Sequence, residues 1–307
     1  NGGGAFLIPY FVALVIVVVS TLWTVLGIGA VLRATLSPRS RVPKPRKVPL
    51  PAVSVLKPLC GADPGLEQNL ESFFRQDHPE LELVFGVQDP DDPALAVVER
   101  LRERHPHVRC RVAVHPGRAG INPKVANLRG MLPHASHDLL LVSDSNVRAP
   151  ESYVSEMVET KVSDERVGLV TNLFAGAGEN TLGAALENVQ LNGFCAAGAA
   201  LPTLLGDALV VGKSMLFSRA TFERLGGFER VANVLAEDFV IGKMFQHAGL
   251  SVKIAKTVLD NVTRTMTLQG FFDRHVGWGM LGARLDLSNP QTLEQIKEGE
   301  LPLPTTR

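Results

Sequence analysis

Cysteine is scarce in this chain: Cys60, Cys110 and Cys195 are the only three, odd in number and far apart. That spacing excludes a disulfide framework and any zinc site built on paired cysteines, and it fits a reducing compartment. A surplus of either charge is missing too. Thirty-one basic residues balance thirty-one acidic ones, so there is no global positive field of the kind that draws nucleic acid. No GxGxxG or Walker sequence is present, so neither a dinucleotide fold nor a P-loop is supported. With 45% hydrophobic and 20% charged residues among 307, disorder and a fibrous repeat are excluded as well. Charge is missing most completely from residues 5–32, AFLIPYFVALVIVVVSTLWTVLGIGAVL.

A helix needs roughly 20 apolar residues to cross a bilayer, so residues 5–32 are long enough to span one with some tilt. Tyr10 lies near one end, where an interfacial aromatic belt would place it. A cleaved signal peptide fits poorly: no basic segment precedes the run, the run is too long, and no small-x-small cleavage site follows it cleanly. Arg33, Arg39, Arg41, Lys44, Arg46 and Lys47 follow with no acid among them. By the positive-inside rule this flank, and the body beyond it, lies in the cytosol. Pro43, Pro45, Pro49 and Pro51 stiffen residues 33–51 into an extended basic linker. Such a linker can hold anionic headgroups at roughly 1 kcal/mol per basic residue near the surface.

Beyond the linker, strand and helix patterns alternate. Strands are expected at 52–56, 81–87, 108–114 and 138–142, with helices at 94–104 and 124–132 between them. A further helix is expected to begin at Asp63 as N-cap and Pro64 as its first residue, carrying Leu66, Leu70, Phe73 and Phe74 on one face. The pattern continues with a helix bearing Val154, Met157 and Val158 and a strand at 167–172. The small-residue-rich segment 181–205 reads either as a core helix pair or as a membrane-surface segment. Ala208–Phe217 reads as a strand, Ser218 as the cap of a short helix ended by Gly226-Gly227, and 237–248 as another helix. This alternation predicts a mostly parallel sheet with helices on both faces, whose ligands bind beyond the carboxyl ends of the strands.

Two acidic clusters stand at such ends. Asp144-Ser145-Asn146 offers a carboxylate one residue removed from a second oxygen ligand, a hard donor pair suited to Mg²⁺ or Mn²⁺ on a nucleotide diphosphate. The same residue types also make ordinary turns. Gln88-Asp89-Pro90-Asp91-Asp92 is either a solvated turn or a set of carboxylates for a ribose or base. Lys124 precedes or opens a helix and can reach a phosphate as a point charge, or simply sit on the surface. Glu237 and Asp238 suit the first turn of a helix through its macrodipole. Successive helical residues point about 100° apart, so one of the two could act as a base while the other orients or binds. Arg274 and Trp278, one turn apart, form either a phosphate clamp beside an aromatic wall or one face of an amphipathic helix.

In order and spacing these motifs resemble the inverting family-2-like glycosyltransferases, and among them the ceramide glucosyltransferase family and its bacterial relatives, with hopanoid-associated enzymes as near neighbours. The resemblance runs from about Val53 to Trp278 through VSVLKPLCGADPGLEQNLESFF, RQDHPELELVFGVQDPDDPA, GINPKVANL, LLLVSDSNVR, GKSMLF, GGF and LAEDF. It implies an α/β GT-A fold over 52–282, a mostly parallel sheet with helices on both faces, behind the transmembrane helix 5–32. It implies transfer of a hexose, glucose from UDP-glucose first, to a lipid hydroxyl such as that of ceramide. UDP-N-acetylglucosamine transfer to a hopanoid or other polyol lipid, and a non-catalytic sugar-nucleotide-binding module, are the alternatives. The partners implied are a UDP-sugar, a ceramide-like lipid and the membrane, without nucleic acid. The catalytic body would face the cytosol, at a bacterial inner membrane or at the Golgi in a eukaryote.

Carried over by position, the resemblance puts Pro58, Gln88, Asp89, Asp92, Lys124, Asn127, Asp144, Arg274 and Trp278 in the nucleotide-sugar pocket. Asp144 with Asn146 would hold Mg²⁺ or Mn²⁺. Asp238 would be the general base, paired with Glu237. The family's terminal basic-x-x-Arg-Trp motif falls on Arg274–Trp278, with Gly277 where arginine is expected. Relatives carry further membrane helices beyond this point, whereas residues 283–307 are polar and read as a tail or a truncated membrane-proximal segment.

Overall fold

The computed structural model describes residues 4–36, 49–115, 120, 122–206 and 208–284, with backbone only at 4–9, 205 and 277–284. Most of the linker and the segment 285–307 therefore lie outside the described residues. Helix α1 covers Gly4–Leu36, and its stretch Tyr10–Leu36 is long and apolar enough to cross a membrane. From residue 53 the expected alternation holds: β1 (Val53–Pro58), α2 (Leu66–Phe74), β2 (Leu81–Val87), α3 (Ala94–Arg104), β3 (Arg109–Val114), α4 (Pro123–Met131) and β4 (Leu139–Ser143). Helix α2 begins later than Asp63-Pro64 suggests. Its N-cap is Gly65 at φ 94°, in the left-handed region that glycine enters without strain, and no side chain caps the helix.

The second half is less regular. It runs through β5 (Val147–Arg148), α5 (Tyr153–Val162), β6 (Val167–Thr171), β7 (Phe174–Ala177) and α6 (Leu182–Gln190). A π-helical turn at Leu191–Cys195 joins α6 to α7 (Ala196–Ala200). Then come β8 (Ser214–Ser218), α8 (Arg219–Arg224), α9 (Glu237–His247), β9 (Ser251–Ile254), β10 (Leu259–Val262) and α10 (Leu268–Arg284). The strand expected over Ala208–Phe217 is confined to its last residues, since 208–213 follow an irregular path. Apolar composition marked the segment as buried, and Ala208 and Val210 are, but it has no ladder partner before Ser214. Ser218 does cap α8, accepting from Thr221 N at 3.3 Å.

Seven strands form the main sheet in the order β3-β2-β1-β4-β8-β6-β9. Every pair is parallel except those of β8, which runs antiparallel to both β4 and β6. A smaller sheet, β5-β10-β7, stands beside it. β1, β2 and β4 are buried along nearly their whole length, which is why they read as continuous apolar runs. One core, with Phe73, Leu101 and Tyr153, lies under α2, α3 and α5; the other, with Leu128, Phe217 and Phe245, lies under α4, α8 and α9. The chain moves outward from β1 to β2 and β3, then returns to place β4 on the other side of β1. That reversal opens a crevice at the carboxyl ends of the strands.

Within the segment 181–205, residues 182–205 form one continuous helical run packed against α1, and Thr181 caps it. A Cβ on Gly27 would lie 2.7 Å from Ala197 Cβ, so the two helices touch through small residues. Trp23 stacks on Phe194 with ring centroids 5.9 Å apart.

Candidate functional site

A cleft of about 700 Å³ opens at the reversal point. It is lined by the ends of β1 (Pro58 to Cys60), β2 (Gln88 to Pro90) and β4 (Asp144 to Asn146), together with Asp63, Asp92, Pro123, Lys124, Asn127 and Lys213. The expected residues Pro58, Gln88, Asp89, Asp92, Lys124, Asn127, Asp144 and Asn146 are thus brought together, by the strand order and by helix α4 packed against it. Asp238 and Glu237 stand outside this lining, at the start of α9, and Arg274 stands outside it on α10. The side chain of Trp278 lies outside the described residues.

Helix α4 is the brace between the two groups. Asn122 caps it, accepting from Lys124 N at 3.0 Å and Val125 N at 3.2 Å, with Pro123 in the first helical position. The same Asn122 amide donates to Val234 O at 2.7 Å and to Glu237 Oε2 at 3.1 Å, tying the start of α4 to the start of α9. Lys124 Nζ then reaches Asp144 Oδ1 at 2.8 Å, Gly212 O at 2.9 Å and Glu237 Oε1 at 3.1 Å. Burial disfavours this ammonium, but Asp144 and Glu237 outweigh burial and raise its pKa above the usual lysine value.

Asp144 sits in a ring of cations. Burial alone would raise its carboxyl, yet Lys124 first and Lys213 second hold it below the usual carboxylate range. Lys57 is completely buried; its Nζ donates to Asp144 O at 2.6 Å and lies 3.6 Å from the centroid of the Phe73 ring. Burial pulls the Lys57 ammonium well below the ordinary lysine value, with Asp144 opposing. Lys213 Nζ stands 3.7 Å from Asp144 Oδ2 and 3.4 Å from Asn146 Oδ1.

The acidic pair divides as successive helical residues should. Glu237 is buried with both oxygens engaged, and burial first, Asp238 also, raises its carboxyl despite Lys124. Asp238 is half-buried and points the other way, accepting from Gly212 N at 2.6 Å and Phe239 N at 2.8 Å. Gly212 is required there: a Cβ would sit 2.8 Å from Asp238 Oδ2. An unbroken path therefore runs from Asp144 through Lys124 and Gly212 to Asp238.

Other expected residues hold the scaffold while lining the cleft. The Asn127 amide donates to Gly86 O at 2.9 Å and Leu59 O at 3.2 Å, stapling α4 to the ends of β1 and β2. Asp92 accepts from Gly61 N at 2.9 Å and Ala94 N at 2.8 Å, fixing the loop after β1 and the start of α3. Asp89 accepts from Asp91 N at 2.9 Å in a local turn, and Gln88 donates to Pro123 O at 3.4 Å. Arg274 donates to Glu187 Oε1 of α6 at 2.8 Å. Lys57, Asn122, Gly212, Lys213 and Glu187 were not singled out by sequence reasoning. A lysine ending the apolar strand VSVLKP, and another opening GKSMLF, were the available signals for two of them.

The description of glycosyl transferase family 21 matches residues 11–290 of this chain. Ceramide glucosyltransferase 1 of Caenorhabditis elegans is 30% identical over 229 residues, covering 75% of this chain and 49% of that protein. Ceramide glucosyltransferase of Komagataella phaffii is 35% identical over 127 residues, covering 40% of this chain and 25% of that one. The chain spans about half the length of the Caenorhabditis elegans relatives it matches. Among solved structures, a mannosyltransferase from Pyrobaculum calidifontis in complex with GDP-Man and Mn²⁺ is similar at 20% identity, with a TM-score of 0.55, covering 92% of this chain and 80% of that one. That likeness gives the fold, an α/β GT-A-type arrangement with a mostly parallel sheet. With the family match running over nearly its whole length, the chain belongs to glycosyl transferase family 21.

Proposed function

We propose that this chain is the catalytic part of a membrane-anchored inverting glycosyltransferase, moving a hexose from a UDP-sugar, UDP-glucose first, to a lipid hydroxyl such as that of ceramide. The observation that supports this most is the join made by Lys124 between Asp144 in the cleft and the Glu237–Asp238 pair beside it. A cleft of about 700 Å³ lies within the range of small-ligand sites. The Gln88–Asp92 end suits a base and ribose, and the lysine-rich Asp144 end suits a diphosphate.

Asp238 is the general base in this reading. Its carboxylate takes the proton of the acceptor hydroxyl as that oxygen bonds to the anomeric carbon, while the bond from that carbon to the diphosphate oxygen breaks and the electron pair leaves with UDP. One displacement inverts the configuration. Glu237 orients rather than abstracts: it is buried with Lys124 and Asn122 on its two oxygens, whereas Asp238 is half-buried and held by two backbone N–H groups. Among the described residues no group of three His, Cys, Asp or Glu is poised to chelate an ion. Asp144 and Asn146 supply a carboxylate and an amide oxygen, two hard donors of the kind Mg²⁺ takes, and diphosphate oxygens and water would supply the rest of its shell. Mg²⁺ or Mn²⁺ held there would neutralise charge on the departing diphosphate. Helix α1 would anchor the protein and the basic linker would hold its body at the cytosolic face, with α6 and α7 beside the lipid entrance.

Asp238→Asn keeps size and an acceptor for one of the two backbone N–H groups but cannot take the proton. Single-turnover rates should fall about 10²–10⁴-fold, or roughly 3–5.5 kcal/mol of barrier, with little change in UDP-sugar affinity. Glu237→Gln should lower thermal stability more than turnover. Normal turnover in Asp238→Asn would remove the base from this mechanism.

A further inference from the structure

Three lysines converge on Asp144, and their hydrogen bonding differs. An ammonium carries three N–H donors. Lys124 Nζ places all three, on Asp144, Gly212 and Glu237, at 2.8, 2.9 and 3.1 Å. Lys57 Nζ is closed off by burial, bound to Asp144 O at 2.6 Å and Ser143 Oγ at 3.3 Å against the face of Phe73. Neither has a donor to offer a ligand. Lys213 is the exception. Among the described residues its ammonium makes one long hydrogen bond, 3.4 Å to Asn146 Oδ1, and stands 3.7 Å from Asp144 Oδ2. Charge-assisted bonds ordinarily close to about 2.7–2.9 Å, so this ammonium is near both oxygens and bound tightly by neither. Its side chain lines the cleft.

We infer that Lys213 binds the donor diphosphate directly, and that its charge stands beside the Asp144 and Asn146 oxygens an ion would use, so that ammonium and metal compete for the same two oxygens. The diphosphate half rests on the UDP-sugar reading above; the competition rests on this chain's geometry. Asn146 brings no charge, and the single charge of Asp144 is already met by Lys124. A divalent ion approaching the empty cleft therefore meets a like charge rather than a second carboxylate. A diphosphate changes that balance: Lys213 can turn to it as a point charge on a flexible stem, leaving Asp144 and Asn146 to the ion. Metal should consequently bind weakly alone and more strongly once nucleotide is present. The placement of Lys213 follows from the antiparallel register of β4 and β8, which pairs Ser143 with Ser214 and sets Lys213 O to accept from Asp144 N at 3.3 Å.

The test uses the full chain in detergent as wild type, Lys213→Met and Lys213→Arg. Free Mn²⁺ is measured by electron paramagnetic resonance, and UDP binding by calorimetry with EDTA and with Mn²⁺. Lys213→Met should bind Mn²⁺ alone several-fold more tightly, and should bind UDP in EDTA about tenfold more weakly, the scale of one charge-assisted hydrogen bond. Lys213→Arg should keep wild-type UDP binding in EDTA. Unchanged or weaker Mn²⁺ binding by Lys213→Met overturns the inference, as does unchanged UDP binding in EDTA. Lys213→Gln serves the same two readings if the methionine variant does not fold. A wild type that binds UDP neither with nor without Mn²⁺ overturns the nucleotide reading itself and the diphosphate half of the inference with it, while Mn²⁺ binding alone still decides the competition.

Discussion

Replacing Lys124 with methionine keeps an unbranched side chain, one atom shorter, and removes one charge from the centre of the site. Two carboxylates then lose their nearest cation, Asp144 at 2.8 Å and Glu237 at 3.1 Å. At an effective dielectric of about 20 each pair is worth roughly 5–6 kcal/mol of Coulomb attraction, largely offset by the cost of taking the charges out of water. What a deletion measures is the carboxylate left behind, about 3–5 kcal/mol for a buried pair. The lower end applies here. Side-chain exposures of 24% for Lys124 and 25% for Asp144 let water screen that contact, and Lys213 and Asn122 remain beside the two acids. A loss of about 3 kcal/mol lowers the melting temperature by roughly 6–12 °C in a domain of this size. Glu237, already raised by burial, should take up a proton more readily once Lys124 is gone. The assay is a thermal melt of the detergent-solubilised chain, with the double variant Lys124→Met/Asp144→Asn alongside. Removing the orphaned charge with its partner should recover part of the loss, giving a coupling of at least about 0.5 kcal/mol. A Lys124→Met melt within about 1 °C of wild type, about 0.3–0.5 kcal/mol in a domain this size, would falsify the view that this ammonium holds the two halves of the site together.

Acid should expose the same cluster from the other side. Asp144 has its folded pKa lowered, so its contribution is present above the ordinary carboxylate pKa and is lost as pH falls through the lowered value. Asp144→Asn should therefore flatten the stability of the protein below about pH 4, read from melting temperatures across a pH series. Glu237 works in the opposite sense, because its raised pKa favours the protonated form in the folded state. Its favourable contribution is complete below the ordinary glutamate value and is lost as pH rises through the raised one. In the helical pair, Gly27→Leu places a side chain where even a Cβ would be 2.7 Å from Ala197, and should cost about 1–3 kcal/mol. Loss of the Trp23–Phe194 stack, read as a shift in tryptophan emission, reports it; unchanged emission and stability would mean that α1 and α7 do not pack this way.

Much of this protein is legible in one dimension because its signals are local. Apolar runs bounded by turn residues mark β1, β2 and β4, since strands buried on both faces need no alternation. Ser218 announces its helix because a cap is a contact between near neighbours. The separate directions of Glu237 and Asp238 follow from helical geometry alone. The chain order of the cleft residues at the ends of β1, β2 and β4 was legible for the same reason.

Strand order and register are not local. Nothing between residues 139 and 218 announces that β8 runs antiparallel beside β4, yet that pairing alone brings Lys213 against Asp144. The convergence of Lys57, Lys124 and Lys213, and the use of Asn122 to join α4 to α9, depend on contacts between residues 20 to 115 positions apart. The irregular path of 208–213 has the same origin: burial without a ladder looks like a strand to any local pattern, and Gly212 is shaped there by its contact with Asp238. Sequence determined which side chains were available at the strand ends. Packing of distant segments decided which of them carry a ligand-ready donor and which hold the frame.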